Sequence, residues 1–176
     1  MNIFYLHSDP TICAQYHNDN HVVKMQLETA QMLCFVHWKT GSEAPYKQNK
    51  AHMMHPCTLW AYKSLSNYVW LCELGMALLE EHKFRFNKPD DYKTKASVVI
   101  EWAIDNFPNI PDIGFTPPAQ AMSFEYKNTN PVLAYRTYYN EAKQFYIKQD
   151  KKVWYTWRKR GMPHWFKSRQ PVAVAA

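Results

Sequence analysis

His17, His21, Lys24 and Glu28 follow one another at spacings of four, three and four in the stretch from Tyr16 to Met32. On a helix these offsets stack side chains along one line, so two imidazoles, an amine and a carboxylate share a stripe. Val22, Val23, Met25, Leu27, Ala30 and Leu33 fill much of the remaining surface, which calls for burial. A mostly apolar helix with four ionisable groups in a row either faces a cleft or carries a solvated stripe, which Asn20 and Gln31 would widen.

Each member of the stripe has a chemical and a plain reading. A desolvated lysine at position 24 can act as a nucleophile or base. With Glu28 it can equally form an i,i+4 ion pair worth about 0.3–0.5 kcal/mol. Asp19 and Glu28 are the carboxylates able to steady a developing sugar cation, as in glycosidic cleavage. Asp19 also sits in HNDN, whose residues readily bond their own backbone. His17 and His21 form an HxxxH that, with His52 and His55, can complete a divalent metal site. Phosphate binding is a second use for these imidazoles, and capping the helix that starts at Pro56 is a third for His55.

The elements that position these residues read as helical. Ile3 to Leu6 is a short strand or an anchored terminus. The Asp9–Pro10 start signal predicts a first helix from Pro10 to about Trp38, with a break near Asn18–Asn20. A polar loop spans residues 40–50. Pro56 opens a second helix to Phe86, bent at Gly75, and a third runs from Tyr92 to Phe107. The segment 108–121 (PNIPDIGFTPPAQA) is rich in proline yet apolar enough to pack on the body. Pro131 opens a last helix to about Trp157. The expectation is a single all-α domain over residues 1–170, a compact bundle of about four helices with a packed proline-rich loop and an irregular basic C-terminal tail. Residues 171–176 read as flexible.

Charge is unevenly placed. Residues 1–135 hold 11 Lys/Arg and 13 Asp/Glu, a balance of −2, and residues 136–176 hold 10 Lys/Arg and two acids, a balance of +8. Such asymmetry points to a polyanionic partner, nucleic acid before an acidic membrane surface. Lys148, Lys151, Lys152, Arg158, Lys159, Arg160 and Lys167 interleave with Trp154, Trp157 and Trp165, so phosphate neutralisation and base stacking are available together. The other reading is a solvated charged end with aromatic core anchors. Tyr135, Tyr138, Tyr139 and Tyr146 read as core or groove lining. No apolar run is long enough to span a bilayer, the N-terminus lacks a secretory pattern, and the four cysteines form no CxxC pair. The expected compartment is the cytoplasm, that of the host if the chain is phage-encoded.

Two segments together carry a resemblance. The first is the helix with Lys24 and Glu28, and the second is HMMHPCTLWAYKSLSNYVWLCELGMALLEEHKFRF, residues 52–86. The chain resembles phage-type pyrimidine-dimer DNA glycosylases of the endonuclease V type, in which a His-Pro pair opens a helix with an acidic, aromatic end. Its tryptophan-rich C-terminus is similar in character. It also resembles a group of phage proteins with an MNIF start and a YHxDxHVVKM helix, which implies no particular activity. The glycosylase resemblance implies a compact helical fold, DNA as partner, no cofactor, and base excision through an imine followed by strand cleavage. An α-amine attacks the sugar in that family, and a helix glutamate assists. Glu28 matches the glutamate, with Asp19 second. Asn2 is too large for ready removal of the initiator, which gives the amine to Met1, with Lys24 as the substitute nucleophile. His17 and His21 stand where the family has basic residues. A metal-dependent enzyme using His17, His21, His52 and His55, and a non-catalytic DNA-binding protein, are the rival expectations.

Overall fold

A computed structural model describes residues 1–171; the expected tail lies, from residue 172 onward, outside the described residues. Helices α1 (Pro10–Tyr16), α2 (Asp19–Lys39), α3 (Lys50–Met53), α4 (Pro56–Lys63), α5 (Leu65–Phe86), α6 (Lys95–Asp105) and α7 (Pro131–Ala142) precede a hairpin of β1 (Phe145–Lys148) and β2 (Lys151–Trp154). The chain is mostly helical, as its pattern predicts, but the helices are shorter and more numerous than a four-helix bundle.

Helix α2 is the axis of the fold. It packs against α5, α6 and α4, and Val22, Met25, Ala30, Met32, Leu33 and Val36 are buried. Gly75 of α5 marks the closest approach rather than a bend. A Cβ there would lie 2.7 Å from Ile100 Cδ1 and 2.9 Å from Thr29 Cγ2, so its bare backbone lets α2, α5 and α6 meet.

Caps decide where the expected long helices divide. The first divides at His17–Asn18, where the Asn18 side chain accepts from His21 N and starts α2. His17 therefore caps the end of α1 in extended backbone instead of sharing a helix face with His21. The second divides at Ser64, also extended. Its N-terminal boundary is held by His55, whose Nδ1 accepts from Cys57 N at 3.2 Å. The loop after α6 packs as expected: Trp60 Nε1 donates to Thr116 O, and Asn67 bonds the same residue through both backbone and side chain.

The last helix differs most. It ends at Ala142, and residues 145–154 form an antiparallel hairpin that pairs Phe145 with Trp154. Gln149 and Asp150 both have positive φ, 49° and 59°, as a tight two-residue hairpin turn requires.

A buried charge cluster joins these parts. Arg85, among the largest fully buried side chains, donates to Asp19 Oδ1 at 3.1 Å, Glu81 Oε2 at 2.8 Å, and the carbonyls of His17 and Gln15. Asp19 also accepts from Thr156 Oγ1 and Arg158 N, and Glu81 accepts from Arg160. The α1–α2 joint, α5 and the segment after the hairpin are thus tied at one point.

Candidate active site

The first six residues run through the core and deliver the N-terminus to α2. Ile3, Phe4, Tyr5 and Leu6 are all buried. The Asn2 side chain donates to Ala121 O at 2.9 Å and accepts from the backbone N–H groups of Ile3 and Phe4. Phe4 adopts φ 39°, a strained value for a bulky residue, and its ring stacks on His21 at 4.5 Å. The segment is an anchored terminus, not a strand.

Glu28 sits where this terminus arrives. Its Oε2 accepts from Asn2 N at 2.9 Å and lies 4.0 Å from the Met1 amine, and its Oε1 pairs with Lys24 Nζ at 3.1 Å. The carboxylate is 12% exposed, whereas the Lys24 side chain is 66% exposed. These groups line an open cavity of about 480 Å³ together with Phe4, Asn20, His21, Tyr138, Lys143, Tyr146 and Tyr155. Its lining offers one carboxylate against the amine, Lys24 and Lys143, a balance that favours an anionic ligand. Lys143 Nζ lies 5.1 Å from the centroid of Tyr138, which leaves its charge beside an aromatic wall.

The two histidines of the stripe form a neutral polar layer, with His21 in the cavity wall and His17 behind it. Tyr139 OH accepts from the backbone and side-chain N–H groups of Asn18, so its own proton points to His21 Nδ1 at 2.6 Å. That bond leaves the His21 proton on Nε2. Burial, reinforced by the charges of His17, Lys143 and Lys24, holds His21 well below the usual histidine range. His17 donates from Nδ1 to Cys13 O at 2.8 Å, which leaves a buried Nε2 without a partner. Burial lowers its pKa from 6.5 to about 4.

A pH dependence follows. A buried imidazole whose folded pKa lies below its unfolded value stabilises the fold fully above the unfolded pKa. That stability is lost as pH falls toward the folded pKa, because the unfolded chain binds the extra proton. At about 1.4 kcal/mol per unit, His17 alone predicts a loss on the order of 3 kcal/mol as pH falls from 6.5 to about 4. Urea unfolding at stepped pH checks this, and His17→Gln should flatten the curve over that window.

The remaining sequence candidates fall in different places. His55 does not line the cavity but lies close enough to feel it. Burial lowers its pKa first, then the terminal amine and His52, with Glu28 opposing. His52 packs its ring near Phe35 instead. The four histidines of the rival metal reading are not brought together: among the described residues no three His, Cys, Asp or Glu side chains come together to hold a metal ion. Asp19 is occupied by the Arg85 cluster and serves the joint rather than the Glu28 cavity.

Among the basic candidates, Lys148, Lys151 and Lys152 are exposed on the hairpin, and Lys167 is exposed beyond it. Arg160 is bound to Glu81 and Lys159 to Asn87. Trp157 is a buried anchor donating to Tyr16 O, and Trp165 packs under the Arg136 guanidinium at 5.2 Å. Tyr135 and Tyr139 are core, whereas Tyr138 and Tyr146 line the cavity. Sequence reasoning missed Lys143 and Phe4 as lining, and no motif marks them; Tyr155, one of the aromatics interleaved with the basic C-terminal residues, lines the cavity as well.

No family model, curated protein or solved structure matches the chain.

Proposed function

We propose that the chain is a nucleic-acid enzyme, a DNA N-glycosylase acting on damaged or modified bases, with an associated lyase step. One observation carries the reading: a buried-edge carboxylate with an amine on each side, in a cation-rich, aromatic cavity. An amine and a carboxylate are the pair needed to displace a base from a sugar. The amine attacks C1′ as the base leaves, its lost proton going to the base. The C1′–O4′ bond then opens to give the imine, and the carboxylate steadies the positive charge that develops on the ring.

The terminal amine of Met1 is the preferred nucleophile. At 4.0 Å from Oε2 it lies beside Glu28 without being hydrogen-bonded to it. Lys24 is taken up by its ion pair and lacks the burial that activates a lysine. The neutral His21 is suited to donate a hydrogen bond to a base or leaving group, not to act as a cation. Tyr138, Tyr146 and Tyr155 supply flat faces for an everted base.

The test is base release and strand scission from ultraviolet-damaged, abasic and hypermodified duplexes. Activity on at least one supports the reading; inactivity on all, with DNA still bound, leaves a binding protein.

Binding itself has a salt signature. Lys148, Lys151 and Lys152 are exposed phosphate ligands on the hairpin, whereas Lys159 and Arg160 are engaged within the protein. Changing Lys148, Lys151 and Lys152 to Ala should reduce the slope of log affinity against log salt by about 0.9 for each phosphate no longer neutralised, hence by roughly 2–3. An unchanged slope would take the hairpin out of the interface.

A further inference from the structure

A second cavity of about 460 Å³ adjoins the first, and the two share Asn20, Lys24 and Tyr146. Its own walls are Phe86 and Trp154, aromatic, with Val23 and Val153, aliphatic. Arg158 stands at its edge, 64% exposed, with its guanidinium over the Phe86 ring at 5.1 Å. Asp19, the carboxylate in the lining, is already matched by Arg85 at 3.1 Å, by Thr156 Oγ1 at 2.6 Å and by Arg158 N at 3.0 Å. The cavity therefore presents flat apolar faces edged by two exposed cations, Lys24, whose ammonium also reaches Glu28 at 3.1 Å, and Arg158, whose Nε lies 4.0 Å from Asp19 Oδ2, and its acid is already matched within the protein.

We infer that this cavity is a second nucleotide subsite, taking the base next in the strand to the nucleotide held beside Glu28. The base stacks against Trp154, and the linking phosphate lies at the shared wall, between Lys24 and Arg158. The inference rests on the reading that the Glu28 cavity takes a nucleotide. Three features support it. The shared wall sets the two cavities side by side, so a strand can cross from one to the other over Asn20, Lys24 and Tyr146. A cation belongs to that wall, where the phosphate between two nucleotides falls. The second cavity lacks the Met1 amine and the Glu28 carboxylate of the first, so it has means to bind but none to react. Its role is to fix register, placing one sugar at the Met1 amine.

The test compares thymidine 5′-monophosphate with 5′-phosphorylated dithymidylate by calorimetric titration of the full chain. One additional stacked base should tighten binding roughly 5- to 150-fold. Trp154→Ala and Val23→Glu should each shrink that advantage to under about twofold, with mononucleotide affinity held within about twofold, because stacking on this wall supplies it. Val23 is 44% exposed, so its substitution loads the cavity with a charge without disturbing the Phe145–Trp154 pair of the hairpin. Equal affinity for the two probes in the unaltered protein overturns the second subsite and leaves the first standing. Retention of the dinucleotide advantage by Val23→Glu overturns it whatever Trp154→Ala does. Binding of neither probe overturns the nucleotide reading of the first cavity, and the second subsite with it.

Discussion

Arg85→Met is expected to destabilise the fold by about 3–5 kcal/mol, the range for breaking a buried ion pair from one side. The methionine fills the space, but Asp19 and Glu81 keep their charges at 6% side-chain exposure and lose the guanidinium that joined them. The carbonyls of His17 and Gln15 lose their donors as well. For a chain of this length the melting temperature should fall by on the order of 10 °C. A variant that also carries Asp19→Asn and Glu81→Gln should recover part of the loss, because removing a whole buried cluster is often nearly neutral. Urea unfolding of the three proteins measures both effects. A single variant as stable as the parent would show that the cluster does not hold the α1–α2 joint to α5.

Glu28→Gln is expected to lower base release by roughly 10²- to 10³-fold, the usual range for removing one preorganised electrostatic partner of a transition state. The amide keeps the shape of the side chain and can still accept from Asn2 N, so the terminus should stay in place. What disappears is the negative charge beside the reacting sugar. Single-turnover kinetics at saturating DNA isolate this from binding, and affinity should change little or increase, since one anion leaves a cation-rich cavity. A rate within a few-fold of the parent would remove Glu28 from the chemistry.

How much of this was legible in the sequence varies with the physics that decides each part. Periodic apolar residues exposed α2, α5 and α6, and HNDN signalled the break that Asn18 makes by capping α2. The Lys24–Glu28 pair was legible because i,i+4 spacing is local. The hairpin was not. Its turn residues, Gln149 and Asp150, reach positive φ without the Asn-Gly or Gly signal such turns usually carry. Aromatic spacing at 135, 138, 139 and 146 meanwhile continued to look helical. No pattern in EEHKFRF marks Arg85 for burial, and only partners at 15, 17, 19 and 81 explain it. Met1 and Glu28 are far apart in the chain with no pattern linking them; the buried path from Ile3 to Leu6 brings the amine to the carboxylate. The histidines misled because a helix drawn through position 17 puts His17 and His21 on one face. The extended backbone at His17 sends it into the core instead.

The most direct measurement is borohydride trapping of the protein on a DNA substrate it cleaves, followed by peptide mapping of the adduct by mass spectrometry. Reduction captures the imine between the sugar and whichever amine attacked it. A covalent adduct is expected on the peptide that begins at Met1, lost when the α-amine is blocked and retained in Lys24→Ala. An adduct on Lys24, or base release with no trappable adduct, would contradict attack by the terminal amine.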